Sequence, residues 1–534
     1  MSHPKSRRAS TRITRDPQAA RKMRPRPGKS VDPREVELKF CFPPGSRAAL
    51  EASPALAAAK PTQFHQVTTY FDTPDNLLAR TGLSLRVRRI GDMHTQTVKS
   101  RPTGRGVASS RGEWEWRIGQ DEPDVGLLAK TRALAMAATA IQDRLEPVFV
   151  TDIRRTTRLL HLDDKTVVEA AIDEGSIEAG PAYEPVSELE LELKGGGIGP
   201  VYRLAAELQA LAPLWISSES KGVRGWHLRT GQTEGGQFAQ IPKLGRAVRA
   251  AAGFREILDG TLGHLMANIG ATLRGDPEAL HQMRMAIRES RAVLQLFERH
   301  LDAAAAGRFD AGLRRLGEIF GAARDWDVFC LETLPAAMAD LPTEQLQDLN
   351  RVAEVERLFA HAVMADAVRG HDFTAMVLGL AIWAEAGATQ PSTLGDDRMG
   401  ERLRTLAPSL LHRAAGKAKR RGRHAGRLSV ARRHGLRKSL KKLLFDVESL
   451  AGLYRPRAVK IYRSRCEALE EILGRANDAV VTKRLAQSLV SATRPDLAKP
   501  AGVLTRWTER RGRKGLQGLK PALKDFRAAP AFWS

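Results

Sequence analysis

The hydrophobic periodicity of the chain changes once, and this change limits the folds that the sequence can adopt. Between about residues 33 and 228, apolar and polar residues alternate in short runs such as Glu35-Val-Glu-Leu-Lys-Phe40. A period of two predicts antiparallel strands with one polar face. From about residue 245 onward the apolar residues follow a helical period, and Ala, Leu and Arg dominate. We therefore expect a strand-rich N-terminal part and an all-helical C-terminal part.

The helical part repeats itself at one constant offset. Seven of its residues align, without gaps, with identical or similar residues 153 positions later. The first set is His281, Arg284, Arg288, Leu316, Ile319, Gly321 and Asp325, and the second is His434, Arg437, Lys441, Leu469, Ile472, Gly474 and Asp478. One offset over two separated motifs predicts a duplicated bundle of about four helices per copy.

These patterns divide the chain of 534 residues into four segments. We expect a disordered basic tail at residues 1–32, a sheet-based part at 33–228, a linker at 229–244 and the helical part at 245–530. The tail lacks the apolar core of a secretory signal, and no stretch approaches the roughly 18 apolar residues of a membrane span. The three cysteines are far apart, without the spacing of a zinc site or a disulfide framework. We therefore expect a cytoplasmic protein that does not span a membrane.

The formal charge of +24 is unevenly distributed. Residues 1–30 hold 10 basic and 1 acidic side chains, residues 31–235 hold 25 and 28, and residues 236–534 hold 50 and 32. The three net charges are therefore +9, −3 and +18. A basic excess attracts polyanions, and nucleic acid, anionic lipid and polyphosphate are all compatible with it.

Charged residues recur on one face of several predicted strands. Alternate side chains of a strand share a face, so Glu35, Glu37 and Lys39 point the same way. Similar alternation recurs at Arg86, Arg88, Arg111, Glu113, Glu115, Glu169, Asp173, Glu188, Glu190 and Glu192. One such strand is typical of a half-solvated sheet, but several strands with both charge signs favour a closed lumen that binds a charged ligand. Carboxylates bind hard cations such as Mg²⁺ or Mn²⁺, and Arg and Lys bind phosphate.

These residues occur in motifs that resemble the CYTH superfamily, also called triphosphate tunnel metalloenzymes. The motifs are Glu35-x-Glu37-x-Lys39, Tyr70-Phe-Asp-Thr73, Leu85-Arg-Val-Arg88, Thr97-Val-Lys99, Arg111-x-Glu113, Phe149-x-Thr-x-x-x-Arg155, Glu188-Leu-Glu-Leu-Glu192 and Ser220-Lys-x-x-Arg224. The resemblance spans nearly all of residues 33–228 and implies an α+β domain built on an eight-stranded antiparallel barrel. Its tunnel would bind a triphosphate together with Mg²⁺ or Mn²⁺.

The resemblance also implies roles for individual residues. Phosphate contacts would come from Lys39, Arg86, Arg88, Lys99, Arg111, Arg155, Lys221 and Arg224. Metal ligands would be Glu35, Glu37 and members of the run Glu188, Glu190 and Glu192, among which Glu190 and Glu192 are preferred. The catalytic set would be Glu35, Glu37 and Lys39.

Basic residues of the helical part also share faces, in both copies. They are His281, Arg284, Arg288 and Arg291 in the first copy and His434, Arg437, Lys438, Lys441 and Lys442 in the second. A run of charges usually marks a solvated face, but its duplication favours a binding surface. Aromatic residues make up only 5% of the chain, so the stacking rings of single-stranded nucleic-acid binders are scarce, and a polyanion without bases is favoured.

The helical part resembles the CHAD domain. The resemblance rests on the His281-x-x-Arg284-x-x-x-Arg288 helix and on Gly321-Ala-Ala-Arg-Asp-Trp-Asp327, both repeated in the second copy. It covers about residues 245–530 and implies a duplicated helical bundle that binds inorganic polyphosphate. Asp325 and Asp478 are expected to pair with basic residues or cap helices.

The sequence therefore predicts a metal-dependent enzyme that hydrolyses inorganic tripolyphosphate and has a helical domain that binds long-chain polyphosphate. Association with polyphosphate granules is a further expectation, and no specific nucleic acid is expected as a partner. Three alternatives stay open at this point. They are a polyphosphate-binding protein without turnover, a class IV adenylate cyclase or thiamine triphosphatase of the same superfamily, and a nucleic-acid-associated protein.

Overall fold

The computed structural model describes residues 34–101, 106–141, 143–162, 165–232, 235–342, 344, 346–387, 398–423, 429–490 and 494–533. For residues 34, 35 and 109 it describes the backbone but not the side chain. The predicted disordered tail, residues 1–32, lies outside the described residues. None of the helices in the described part is long and apolar enough to cross a membrane.

Eight antiparallel strands form a closed barrel. The strands are β1 (Arg34–Cys41), β2 (Thr62–Asp72), β3 (Leu83–Ile90), β4 (Met93–Ser100), β5 (Ser109–Ile118), β6 (Glu146–His161), β7 (Val167–Ala179) and β8 (Ala182–Gly195). Their order is β5-β4-β3-β2-β6-β7-β8-β1, and pairing of β1 with β5 closes the ring. A two-residue strand, β9 (Trp215–Ile216), adds to the end of β1. The predicted eight-stranded barrel is confirmed.

The period-two pattern separates the outside of the barrel from its lumen. In β1, Leu38 and Phe40 are buried in an apolar cluster outside the barrel. Glu37 and Lys39 alternate with them and make ion pairs inside it. Both faces of this sheet are therefore buried. The outer face packs on apolar residues, and the inner face lines a charged lumen.

Seven helices belong to the barrel half. They are α1 (Arg47–Glu51), α2 (Pro54–Ala57), α3 (Leu77–Thr81), α4 (Val125–Ala129), α5 (Ala135–Ile141), α6 (Ile198–Leu211) and α7 (Lys221–Thr230). The side chain of Asp72 accepts hydrogen bonds from the backbone N–H groups of Leu78 and Ala79, at 2.8 and 2.9 Å, and so orients α3. The Asp of the Tyr70-Phe-Asp-Thr73 motif thus has a structural contact outside the lumen.

The described part of the second half is mostly helical, in agreement with the predicted helical domain. Its helices are α8 (Ala250–Ala267), α9 (Ile269–Leu273), α10 (Pro277–Leu296), α11 (Ala303–Asp327), α12 (Leu334–Asp340), α13 (Gln347–Arg369), α14 (His371–Glu385), α15 (Leu403–Arg421), α16 (Val430–Ser449), α17 (Pro456–Ser488), α18 (Ala498–Gly515) and α19 (Leu519–Arg527). Helices α8, α10 and α11 begin at residues 250, 277 and 303, and α15, α16 and α17 begin at residues 403, 430 and 456. Each shift is 153 residues, the offset found in the sequence.

The barrel and the helical bundle share one hydrophobic core. A single cluster of buried residues includes Phe40 and Leu189 of the barrel, Leu204 of α6, and Phe254 and Leu378 of the bundle. Helix α6 packs against α14, and Gln209 donates a hydrogen bond of 2.8 Å to the backbone oxygen of His371. The polar contacts therefore supplement an apolar interface between the halves.

The segment between α7 and α8 is held by the bundle. The buried amide of Asn268, between α8 and α9, accepts from the backbone N–H of Gln237 at 2.8 Å and donates to its carbonyl at 2.9 Å. Leu244, further along the same segment, is buried in the shared core. The predicted linker at residues 229–244 is thus attached to the bundle where it is described.

Candidate functional site

The barrel lumen contains the basic residues that were predicted from the sequence to contact phosphate. Six lie on strands: Lys39 on β1, Arg86 and Arg88 on β3, Lys99 on β4, Arg111 on β5 and Arg155 on β6. Two more, Lys221 and Arg224, lie in the first turn of α7. The antiparallel register positions these strand residues on a common face, because Arg86 pairs with Thr97 and Lys99 with Glu113 across the strands.

Three carboxylates converge at β7 and β8. Asp173, Glu188 and Glu190 each offer one oxygen, and these oxygens lie within 4.8 Å of one another. We call this set the acidic wall. Asp173 pairs with Glu188 across the strands, and Glu190 is one alternation further along β8. Asp173 and Glu188 are fully buried.

Several cations neutralise the acidic wall. The Nζ atom of Lys221 lies 2.7 Å from Asp173, 2.5 Å from Glu188 and 3.0 Å from Glu190. Burial raises the pKa of each of these carboxyl groups, but the neighbouring cations outweigh it, so each pKa lies below its ordinary range. For Glu190 these cations are Lys221, Lys39 and Arg155. The three carboxylates are therefore charged at neutral pH.

The acidic wall fits a hard divalent cation. Its ligand atoms are all carboxylate oxygens, the donors that Mg²⁺ and Mn²⁺ prefer, and their separation permits a shared ion. The acidic wall could therefore bind a metal ion. The ammonium group of Lys221 contacts all three carboxylates.

The other glutamates predicted to bind metal lie beside the acidic wall. Glu37 on β1 pairs across the strands with Glu192 on β8, two residues from Glu190. Glu37 accepts a hydrogen bond of 2.9 Å from Arg111, and Glu192 lies 2.6 Å from Lys194. Glu35 is on β1, but its side chain is outside the described residues. Among the described side chains, the preferred ligand Glu190 belongs to the acidic wall, and so does Glu188, the candidate of the same run that was not preferred.

Basic residues occupy the opposite wall of the lumen. In the ring of eight strands, β3 is opposite β8 and β4 is opposite β7. Arg86, Arg88 and Lys99, on β3 and β4, therefore form a basic wall that faces the acidic wall. The carboxylate of Glu113 makes ion pairs with two of these cations, at 3.7 Å from Arg86 and 2.9 Å from Lys99.

The basic wall has unsatisfied donors. The Nε atoms of Arg86 and Arg88 are buried without a hydrogen-bond partner among the described residues. Burial, with Arg86 and Arg155 nearby, lowers the pKa of Arg88 to about 10. Buried guanidinium groups that repel one another and have orphaned donors are matched by an anion with several oxygens. A chain of phosphates has this chemistry.

Helix α7 covers part of the lumen. Its N-cap is Ser220, whose side chain accepts from the backbone N–H of Val223 at 3.3 Å. A Cβ built on Gly225 would lie 2.3 Å from the ring of Phe149, and one on Gly222 would lie 3.0 Å from the ring of Tyr70. Both glycines therefore permit the close approach that brings the first turn of α7 to the acidic wall.

A second cationic centre lies between α10 and α16 of the bundle. Burial, with Arg288 and Arg437 nearby, lowers the pKa of Lys441 to about 8. Burial also lowers the pKa of His281 to about 4, with Arg324, Arg288 and Lys441 contributing. These mutual effects unite residues of both repeats in one cluster, which we call the repeat junction: His281, Arg284, Arg288, Arg437 and Lys441.

The remaining basic residues predicted on these faces are distributed around the repeat junction. His434 contacts Asn477 at 2.8 Å, and Lys438 is exposed. Arg291 donates to Asp310 at 3.0 Å, and Lys442 donates to Gln295 at 3.1 Å. In the described structure these four residues therefore have different surroundings.

The acidic residues near the repeat junction make ion pairs. Asp325 lies 3.0 Å from Arg284 of the first repeat and 2.8 Å from Arg484 of the second. Glu470 lies 3.2 Å from Arg437 and 3.4 Å from Lys441. The guanidinium of Arg284 packs on Gly321, as that of Arg437 does on Gly474, so the duplicated glycines lie directly beneath duplicated arginines.

The sequence does not reveal the roles of two acidic residues, one in the lumen and one beside α7. The charge alternation includes Asp173, but it does not predict this residue as a metal ligand. Glu219, which precedes α7, was not singled out. Both owe their position to contacts between elements that are distant in the chain.

Comparisons with known proteins find matches to both halves of the chain. Residues 33–225 match the CYTH domain, and residues 256–487 match the CHAD domain. An inorganic triphosphatase of Haemophilus influenzae is 30% identical over 201 residues, which are 37% of this chain and 56% of that relative. The match thus spans about half the length of the curated relative.

Solved structures are similar to each half. A CHAD domain from the plant Ricinus communis is 25% identical with a TM-score of 0.49, covering 56% of this chain and 99% of that one. A solved inorganic triphosphatase is 18% identical with a TM-score of 0.14, covering 33% of this chain and 81% of that one. The two domain matches, in this order, identify the chain as a CYTH domain followed by a CHAD domain.

Proposed function

We propose that the barrel hydrolyses inorganic tripolyphosphate with the help of Mg²⁺ or Mn²⁺. The observation that supports this most is the polarity of the lumen, in which an acidic wall that fits a hard cation faces a basic wall with orphaned donors. A metal triphosphate complex has both charge signs in one ligand and matches both walls. The similarity of the barrel half to an inorganic triphosphatase supports the same activity.

The proposed roles of the residues follow from their positions. Arg86, Arg88 and Lys99 bind phosphate oxygens from the basic wall, and Arg111 binds from β5. Lys39, Arg155, Lys221 and Arg224 pair with carboxylates of the acidic wall, and we propose that they also contact the phosphates. These contacts align the substrate and spread its charge, which is most of what phosphoryl transfer requires of a protein.

The acidic wall would hold the metal ion. Asp173, Glu188 and Glu190 are the proposed ligands, and Glu37 and Glu192, which pair across the strands beside them, are proposed to contribute. A contribution from Glu35 stays a prediction of the sequence. A metal ion held by these carboxylates would supply charge neutralisation for the phosphates and would lower the pKa of water. Hydrolysis then consists of attack by water on the terminal phosphorus and departure of diphosphate, with no covalent intermediate on the protein.

The helical half is proposed to bind long-chain polyphosphate. The repeat junction concentrates cations from both repeats, and burial lowers the pKa of Lys441 to about 8 and that of His281 to about 4. A bound polyanion would relieve this repulsion. The helical half would thus hold polyphosphate near the barrel, and association with polyphosphate granules would follow.

A phosphate-release assay tests the barrel. The full chain is incubated with tripolyphosphate, long-chain polyphosphate, ATP or thiamine triphosphate, with Mg²⁺ or Mn²⁺, and orthophosphate is measured. We expect release from tripolyphosphate, and a loss of about 100-fold in Glu190→Gln because the substitution removes a charged ligand. Exposed Glu356→Gln on α13 is the matched control and should have wild-type activity.

Two of the three alternatives have their own outcomes in this assay. Preferred turnover of thiamine triphosphate would indicate that enzyme class, and cyclic AMP formed from ATP would indicate a cyclase. Wild-type protein that binds tripolyphosphate but releases no phosphate with either metal would refute the proposed hydrolysis. The remaining interpretation would be a protein that binds polyphosphate without hydrolysing it.

A further inference from the structure

One carboxylate links the helical half to helix α7. Glu219 lies two residues before Lys221, immediately before the N-cap of α7. Its Oε2 atom accepts a hydrogen bond of 2.6 Å from Nη2 of Arg274, which is the C-cap residue of α9 in the bundle. Its Oε1 atom lies 3.4 Å from Nε of the same arginine and 3.5 Å from Nε2 of His227 on α7. Glu219 therefore contacts the bundle and α7 at the same time.

The packing around this contact is tight. A Cβ built on Gly270 of α9 would lie 2.2 Å from Cδ of Glu219, so only glycine permits the observed approach. The Glu219 side chain is 16% exposed. Burial raises the pKa of its carboxyl group, but hydrogen bonds from His227 and Arg274 outweigh burial and lower it. The pair with Arg274 is therefore a short, charge-assisted hydrogen bond in which the carboxylate is largely buried and the guanidinium is partly exposed.

The contact is adjacent to the groups that touch the acidic wall. The backbone passes from Glu219 through the N-cap Ser220 into the first turn of α7, which contains Lys221 and Arg224. Lys221 lies within 3.0 Å of Asp173, Glu188 and Glu190. A shift of Glu219 would move the start of α7 and, with it, both cations.

We propose that Arg274 of the helical half is a positioning residue for the barrel site, acting through Glu219 to hold the first turn of α7. The bundle then has a role in the barrel reaction besides the proposed binding of polyphosphate. This inference rests on the proposed hydrolysis. Arg274 lies outside the lumen contacts described above, so it acts through Lys221 and Arg224.

Substitution of Arg274 in the full chain tests this proposal. Arg274→Ala should raise KM for tripolyphosphate about tenfold with little change in kcat, because the cations of α7 bind substrate before and during the reaction. Arg274→Lys keeps the charge and should restore part of the effect. Gln209→Ala removes another hydrogen bond between the halves, on α6, and should leave KM unchanged.

Hydrogen exchange gives a readout that is independent of activity. Peptides that cover residues 221–230 should exchange faster in Arg274→Ala than in the wild type, in the absence of substrate and metal, while peptides of α10 exchange at the wild-type rate. Unchanged exchange in α7 would overturn the proposal. If Arg274→Ala does not fold, the same comparison is made with Arg274→Gln, which removes the charge, and wild-type exchange in α7 together with wild-type KM then overturns it.

A double-mutant cycle asks whether Arg274 acts through Lys221. If it does, Arg274→Ala should raise KM much less in a Lys221→Ala background than in the wild type. If Arg274→Ala raises KM by the same factor in both backgrounds, Arg274 does not act through Lys221. A wild-type protein without phosphate release would refute the proposed hydrolysis, whereas altered exchange in α7 would still support the structural link.

Discussion

Lys221 is the residue whose surroundings differ most from its predicted role. The sequence resemblance implies a phosphate contact, but its ammonium lies within 3.0 Å of all three carboxylates of the acidic wall. Burial alone would lower the pKa of Lys221, yet Asp173, Glu188 and Glu190 raise it above its ordinary value. The ammonium and a divalent cation would therefore compete for the same oxygens.

Removal of this ammonium should tighten metal binding. We expect Lys221→Gln to lower the Kd for Mn²⁺ about tenfold, because one unit of competing positive charge leaves the acidic wall. Isothermal titration of the full chain with Mn²⁺, without substrate, measures this. The same variant should have a higher KM for tripolyphosphate, so metal and substrate affinity change in opposite directions.

Lys99→Gln is the matched control. It removes one lysine charge from the basic wall, which faces the acidic wall across the lumen, and should raise KM while changing the Kd for Mn²⁺ much less. Equal or weaker Mn²⁺ binding by Lys221→Gln would show that the ammonium does not compete with the ion.

The sequence indicated the lumen residues of β8 better than those of β7, for a physical reason. In β8, charged residues occupy three successive positions on one face, so the period-two pattern is visible. In β7 the nearest positions on the same face as Asp173 are Ala171 and Gly175, so Glu169 and Asp173 do not form a continuous charged run. Only the pairing of Asp173 with Glu188 across the strands completes the acidic wall.

At the scale of single elements, α7 depends on two glycines to approach the barrel. An alanine usually stabilises a helix by up to about 1 kcal/mol relative to glycine. At Gly225 the added methyl group would collide with Phe149, at 2.3 Å from its ring. Because of this collision, alanine at position 225 should destabilise the protein instead of stabilising it.

We expect Gly225→Ala to lower the Tm of the full chain and to raise KM for tripolyphosphate, because α7 must move away from β6. Gly307→Ala is the matched control, since a Cβ at this position of α11 meets nothing within 4 Å. It should raise the Tm slightly and leave KM unchanged. Thermal unfolding and steady-state kinetics of both variants provide the comparison, and a higher Tm for Gly225→Ala would contradict the steric argument.

The duplicated helices show what a repeat in sequence can and cannot predict. The offset of 153 residues predicts that α10 and α16 are equivalent elements, and their boundaries follow it. It does not predict that the two helices contact each other and bring Arg288 close to Lys441. That proximity depends on how the two bundles pack, which no periodicity within one helix describes.

The repeat junction should make polyphosphate binding sensitive to pH. Burial, together with Arg288 of α10 and Arg437 of α16, lowers the pKa of Lys441 to about 8 against the opposing effect of Glu470 of α17. A bound polyanion stabilises the protonated amine, so the complex holds more protons than the free protein above about pH 8. Affinity for long-chain polyphosphate should therefore fall as pH rises from about 8 towards 10.

Binding titrations at several pH values test this effect. Lys441→Met should weaken binding at pH 7 and flatten the pH dependence between 8 and 10. Lys438→Met removes an exposed charge from the same helix and should weaken binding without flattening the profile. An unchanged profile in Lys441→Met would exclude Lys441 as the titrating group.

At the scale of the whole molecule, the fold class was predictable while the relation between the halves was not. The change of period separates strands from helices because each half must bury its own apolar face. The shared core arises because the outer face of the barrel, including Phe40, continues through α6 to Leu378 of the bundle. The apolar residues of α6 gave no sign of which element they would contact.

A continuous core should make the barrel and the bundle unfold together. Scanning calorimetry of the full chain is expected to show one main transition for residues of both halves, because opening either half exposes the apolar face of the other. Leu378→Ala, at a fully buried position of α14, should destabilise the chain by about 2–5 kcal/mol and lower that transition as a whole. Leu349→Ala removes an equally buried leucine from a separate apolar cluster of the bundle and serves as the control for cavity formation alone.

The two substitutions separate a shared core from two adjoining cores. Hydrogen exchange during thermal unfolding should show faster opening of β1 and β8 in Leu378→Ala, although the altered residue lies in the bundle. In Leu349→Ala the same strands should keep wild-type exchange until the main transition. If Leu378→Ala splits the transition and leaves the barrel strands at their wild-type exchange rate, each half has its own cooperative core, and the bundle would support α7 only through local contacts such as the pair of Glu219 and Arg274.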